Sequence, residues 1–123
     1  MTVKELYEQI EGDYNDALKR LRMEKLVTKF IIKFLDDSSC KTLIDTWESH
    51  DEEKIFSAAH AAKGVCINLA LPKLYNIADT VTEAMRPGNE ELRSNTDIDA
   101  LMNEFKKYYE SSYQAIQAFA AEQ

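Results

Sequence analysis

The chain has 123 residues, 45% of them hydrophobic, with three glycines, two prolines, two cysteines and a formal net charge of −7. That length suits one domain around a single core and leaves no room for a second, catalytic one. So few chain breakers exclude a hairpin-rich β architecture, and the acid excess argues against a nucleic-acid-binding surface, which needs clustered cations to displace phosphate counterions. No run approaches the roughly 20 apolar residues of a membrane span, and the stretch from Met1 to Leu6 lacks an apolar signal core. The expectation is a single all-α domain over residues 1–123, soluble and cytoplasmic.

Taken in chain order, Val3, Leu6, Tyr7 and Ile10 share one face of a short helix that stops at Gly12 and packs as a lid. Asp13 caps a second short helix through Leu21. The apolar phase shifts across Arg22 to Lys25 and resumes at Met23, Val27, Phe30 and Phe34, which predicts two helices in place of one bent helix. Ser38 and Ser39 open a helix with Leu43, Ile44 and Trp47 inward, ending around Ser49 and His50. Asp51 caps the next, which runs to about Leu71. Pro72 has no N–H to donate and suits the first turn of the following helix, lined by Leu74, Ile77, Ala78, Val81 and Met85 and antiparallel to its predecessor. Pro87-Gly88-Asn89 is the strongest break, and the polar residues through Asn95 predict a mobile connection. A long last helix from Thr96 or Asp97, with Ile98, Leu101, Met102, Phe105, Tyr109, Ile116 and Phe119 at helical spacing, closes a four-helix bundle.

The helix that follows Asp51 carries the most informative residues. At about 100° per residue, Ile55, Ala59, Ala62, Cys66 and Leu69 cluster on one side and Gly64 falls almost opposite. A glycine inside a helix costs roughly 1 kcal/mol relative to alanine, so an exposed one needs a reason. His60 stands one turn earlier on the edge of that outer face, and the absent side chain at Gly64 lets a bulky partner reach the imidazole. A neutral imidazole attacks electrophiles such as phosphorus. Lys63 adds an ammonium able to offset negative charge on a group attached to the ring.

His60-x-x-Lys63-Gly64 followed by Asn68-Leu69 resembles the phosphorylation motif of histidine phosphotransfer (HPt) domains, the shuttles of multistep phosphorelays. That family usually has Leu where this chain has Ala62 and often Gly where it has Ala70, and neither departure removes a chemical group. Asp13-Tyr14, Ala17-Leu18, Arg20-Leu21 and the run from Leu26 to Leu35 are similar to the family's leading helices, so the resemblance covers roughly residues 13 to 86. It implies an antiparallel four-helix bundle with short additional N-terminal helices. It also implies that His60 accepts a phosphoryl group, through Nε2, from an aspartyl phosphate on a receiver domain of a response regulator or hybrid histidine kinase. On the same ground Lys63 offsets the phosphoryl charge and Gly64 clears the approach. The magnesium site would belong to the receiver, and this chain would be a phosphocarrier with no kinase activity, metal or cofactor of its own.

Ile67 lies near the angular strip of His60, where it gives apolar contact to a docking partner or packs under the N-terminal helix; Asn68 orients backbone or a loop. Cys40 and Cys66 are far apart and match no metal-ligand spacing, and Cys66, on the apolar face, reads as a buried free thiol. No Glu-x-x-His occurs, as a di-metal bundle would require. His50 reads as a helix-end residue, and Tyr108, Tyr109 and Tyr113 as core and rim. Four helices can be completed within one chain, so a monomer is expected. The competing reading is a helical docking module that uses the His60 face without phosphorylation.

Overall fold

The computed structural model describes all residues, Met1–Gln123, and holds eight α-helices, one 3-10 turn and no strand. Helix α1 (Val3–Gln9) opens on a capping box in which Thr2 accepts from the Glu5 N–H and Glu5 accepts from the Thr2 N–H; this satisfies two otherwise orphaned donors. The sequence reading ends this helix at Gly12, but the residue in the left-handed region is Glu11, at φ 57°. Gly12 serves a close approach instead, because a Cβ there would lie 2.6 Å from the Tyr7 ring.

Helices α2 (Tyr14–Leu21) and α3 (Glu24–Lys33) are separate, as the phase shift predicts: Asp13 caps the first by accepting from the Asp16 N–H, and Arg22 ends it at φ 78°. A 3-10 turn over Phe34–Asp36 leads to α4 (Ser39–Trp47). Its N-cap residue, Ser38, makes no side-chain cap bond; Asp37 supplies the acceptor, with the Ser39 N–H donating to Asp37 Oδ1 at 2.8 Å. Asp51 caps α5 (Glu52–Asn68) by accepting from the Lys54 N–H.

Helix α5 stops at Asn68, short of the predicted Leu71, because Ala70 turns left-handed at φ 55°. The Leu71 N–H then reaches the Cys66 carbonyl at 2.9 Å and the Ala70 N–H the Ile67 carbonyl at 3.1 Å. This is the Schellman pattern of helix termination, with alanine in the position that glycine usually takes. Pro72 opens α6 (Pro72–Met85) in its first turn, and its five predicted lining residues are all buried.

The connection after Pro87 is a correction to the sequence reading. It forms a short helix, α7 (Glu90–Ser94), tied down by side chains. Asn89 Nδ2 donates to the Glu83 carbonyl at 2.8 Å, Arg93 Nε donates to the Ala84 carbonyl at 3.0 Å, and the Arg93 guanidinium pairs with Glu52. Asp97 then caps α8 (Ile98–Ala121).

Helix α5 packs between α4 and α6, α6 packs on α8, and α8 returns to α4, while α1 and α3 also rest on α8. One hydrophobic cluster runs through these contacts and includes Phe34, Ile55, Leu74, Phe105 and Ile116; burial of each such side chain contributes about 1.5–3 kcal/mol. The start of the chain is fastened over the end of α5. Tyr7 Oη donates to the Leu69 carbonyl at 2.8 Å and the Asp13 N–H to the Ala70 carbonyl at 2.9 Å, which satisfies carbonyls beyond the last helical turn. Cys40 and Cys66 are both free and buried, with Sγ atoms 3.8 Å apart across α4 and α5. No helix is long and apolar enough to cross a membrane.

Candidate functional site

The exposed edge between α5 and α6 gathers the residues of interest. Phe56 and His60 are one turn apart on α5, and their rings stack with centroids 6.3 Å apart and planes inclined by 19°, the contact that i, i+4 spacing allows. Phe56 is half-buried against the core, whereas His60 is exposed, so a fixed aromatic surface backs an open imidazole.

Arg86, just past the end of α6, lies over the other ring of this stack, with its guanidinium carbon 5.2 Å from the Phe56 centroid. Glu83 holds it in a two-point contact: Arg86 Nε donates to Oε2 at 3.0 Å and Nη2 to Oε1 at 2.9 Å. Those bonds keep the Glu83 carboxyl below the usual carboxylate range, with the charges of Lys63 and His60 acting in the same direction. The Arg86 guanidinium is pushed up by the same carboxylate.

Lys63 Nζ stands 2.9 Å from Asp79 Oδ1, with the two side chains 25% and 40% exposed. The hydrogen bond to Asp79 raises the lysine's pKa above its ordinary value, so the ammonium is charged at neutral pH. Its tip is engaged on α6 and does not stand free beside the imidazole. A partly exposed pair of this kind contributes about 0.2–1 kcal/mol, so another anion can compete for the lysine at little cost.

Gly64 is half-buried, and a Cβ built on it would meet nothing within 4 Å. No packing within the chain therefore asks for glycine there. Val65 packs against the core and Cys66 lies in it, while Ile67 is half-buried yet belongs to neither the core nor the layer packed on it. Asn68, the last residue of α5, is exposed and lines a separate groove with Val65 and Leu69. Thus His60, Lys63, Gly64 and Ile67 share the outer face of α5, and Asn68 lies two turns from the imidazole.

Phe56, Asp79, Glu83 and Arg86 escaped the sequence reading. The signal was present in part: Asp79, Glu83 and Arg86 are spaced by four and three residues, which aligns them on one helix face, and Phe56 is one turn before His60. Which face of α6 meets which face of α5 is a tertiary fact, however. No three His, Cys, Asp or Glu side chains converge anywhere in the chain. The arrangement can present the exposed imidazole of His60 on an edge that also holds two ion-paired cations, Lys63 and Arg86, with nothing within 4 Å of the Cβ position of Gly64 one turn on. No family model, curated protein or solved structure matches the chain.

Proposed function

We propose that the chain is a histidine phosphotransfer module, in which α4, α5, α6 and α8 make an antiparallel four-helix bundle and His60 relays a phosphoryl group between receiver domains. In the accepting step Nε2 of His60 attacks phosphorus, the P–N bond forms, the acyl P–O bond of an aspartyl phosphate breaks, and the carboxylate leaves with the electron pair. Lys63 and Arg86 offset charge on the transferred group. Return of the group to a second carboxylate is the same exchange reversed. The module works as a monomer in the cytoplasm, a setting in which buried thiols such as Cys40 and Cys66 stay reduced.

The observation that carries this reading is the empty space at Gly64. A mid-helix glycine costs roughly 1 kcal/mol, and no neighbour within 4 Å of its missing Cβ accounts for it, so the clearance serves something outside the chain, beside His60. The engagement of Lys63 by Asp79 favours a second reading, a docking module that never carries phosphate. Incubation with the small phosphodonor phosphoramidate, followed by phosphorus NMR, separates the two. A phosphohistidine signal is expected from the carrier, and none, with the fold intact, from the docking module.

A further inference from the structure

The whole-chain charge conceals a segregation. Residues 19–33 hold six cations, Lys19, Arg20, Arg22, Lys25, Lys29 and Lys33, against the single carboxylate of Glu24, so this stretch carries +5 and the remainder −12 of the total of −7. All six are exposed. Met23 and Phe30 stand out to solvent among them, at 52% and 37% exposure. Lys29 and Lys33 place their Nζ atoms 5.8 and 5.7 Å from the Phe30 centroid, and neither is in an ion pair.

Phe30 and Lys33 also form one side of a groove of about 430 Å³, whose apolar lining comes from Leu21, Phe34, Val65 and Leu69. Its one carboxylate, Asp37, is committed to capping α4. Asn68 connects this groove to the strip that carries His60. Eight helical residues separate the two, a distance of about 12 Å, whereas a standard interface of about 800 Å² per partner spans a disc of about 16 Å radius. A protein docked over His60 therefore reaches Asn68, the residue through which the groove adjoins this strip.

We infer that the α2–α3 face is the partner-selecting half of the docking surface, and that it takes a protein whose docking face carries carboxylates around an apolar side chain. The apolar side chain enters the groove beside Phe30, and the carboxylates meet Lys29 and Lys33. This rests on the phosphocarrier reading for the identity of the partner, a receiver domain, whose aspartyl phosphate is itself anionic. An extended polyanion fits less well, because only two of the cations, Arg20 and Lys33, line the groove, Arg20 is paired with Asp16, and the rest of the lining is mostly apolar and suited to one side chain.

The test is titration of an unphosphorylated acidic receiver domain into the wild-type chain and into a Lys29→Glu/Lys33→Glu variant at low and high salt. Phosphoramidate labelling of both proteins and binding to phosphatidylserine vesicles run in parallel. Receiver binding by the variant should be at least about tenfold weaker at low salt, with the difference shrinking as salt rises, while phosphoramidate labels both proteins equally. A Lys29→Gln/Lys33→Gln variant should fall between the two. Equal receiver affinity in all three proteins overturns the inference, and vesicle binding lost in the variants with receiver affinity unchanged overturns it in favour of a lipid surface. If phosphoramidate labels neither protein but the salt-dependent difference persists, the docking surface stands and the phosphocarrier reading falls.

Discussion

Lys63 on α5 and Asp79 on α6 join their helices through a 2.9 Å ion pair one turn from the His60 imidazole. On the proposed phosphocarrier reading, the lysine that offsets the phosphoryl charge is thus held on a carboxylate in the unmodified chain. Replacing Asp79 by Asn should cost no more than about 1 kcal/mol of stability, since both partners are partly solvated. It should leave phosphoryl acceptance by His60 at least as fast as in the wild type. Lys63→Ala should slow acceptance several-fold. Chemical denaturation and time courses of label uptake check the two halves of this expectation.

Gly64→Ala separates stability from function. The helix gains up to about 1 kcal/mol because alanine is the better helix former, and the new methyl group meets nothing of the chain within 4 Å. Transfer from a protein donor should fall, since the methyl group occupies the approach to His60, while labelling by phosphoramidate stays unchanged. A more stable protein that is a poorer acceptor only toward macromolecular donors is the expected outcome, read from urea melts and the two labelling rates.

Stability should decline at alkaline pH, and Tyr7 should carry part of the decline. Its hydroxyl is buried, donates to the Leu69 carbonyl, and has its pKa raised by burial. An unfolded tyrosine loses its proton near pH 10. The folded one keeps it, so above that value the unfolded state binds fewer protons and stability falls by about 1.4 kcal/mol per pH unit for each such group until the folded pKa is reached. Lys63, also raised, works in the same direction: its contribution is complete below the unfolded lysine value and is lost as pH rises through the folded one. Tyr7→Phe should cost about 1–2 kcal/mol at neutral pH by leaving a carbonyl unpaired, and should flatten the alkaline fall. Urea denaturation across the alkaline range measures both.

Ala70→Gly should raise stability by about 0.5–1 kcal/mol. The residue sits at φ 55° in the turn that ends α5, where an L side chain is disfavoured and glycine is not. Loss of its buried methyl group tempers the gain. A thermal melt of the variant is sufficient.

The elements that sequence inspection located well are those whose signals are local. Asp13, Asp51 and Asp97 accept from N–H groups three residues ahead, the phase break at Arg22 is a left-handed residue, and Pro72 opens a helix. The motif residues His60, Lys63 and Gly64 share one face because helical spacing dictates it. What escaped depends on neighbours distant in the chain. Arg93 and Asn89 order the segment after Pro87 by reaching carbonyls of α6, and Cys40 meets Cys66 over a separation of 26 residues. Phe56, Glu83 and Arg86 join the site only because α5 and α6 pack with those faces together. The basic stretch from Lys19 to Lys33 was open to view but was averaged away in the total charge.

The most direct test is transfer of radiolabelled phosphate from phosphorylated receiver domains to the wild-type chain and to His60→Gln, with both proteins shown to be folded and the product treated with acid. Acid-labile label on the wild type and none on the variant is the predicted result. Absence of label on the folded wild type from every receiver, or equal label on the variant, would contradict His60 as a phosphoryl carrier.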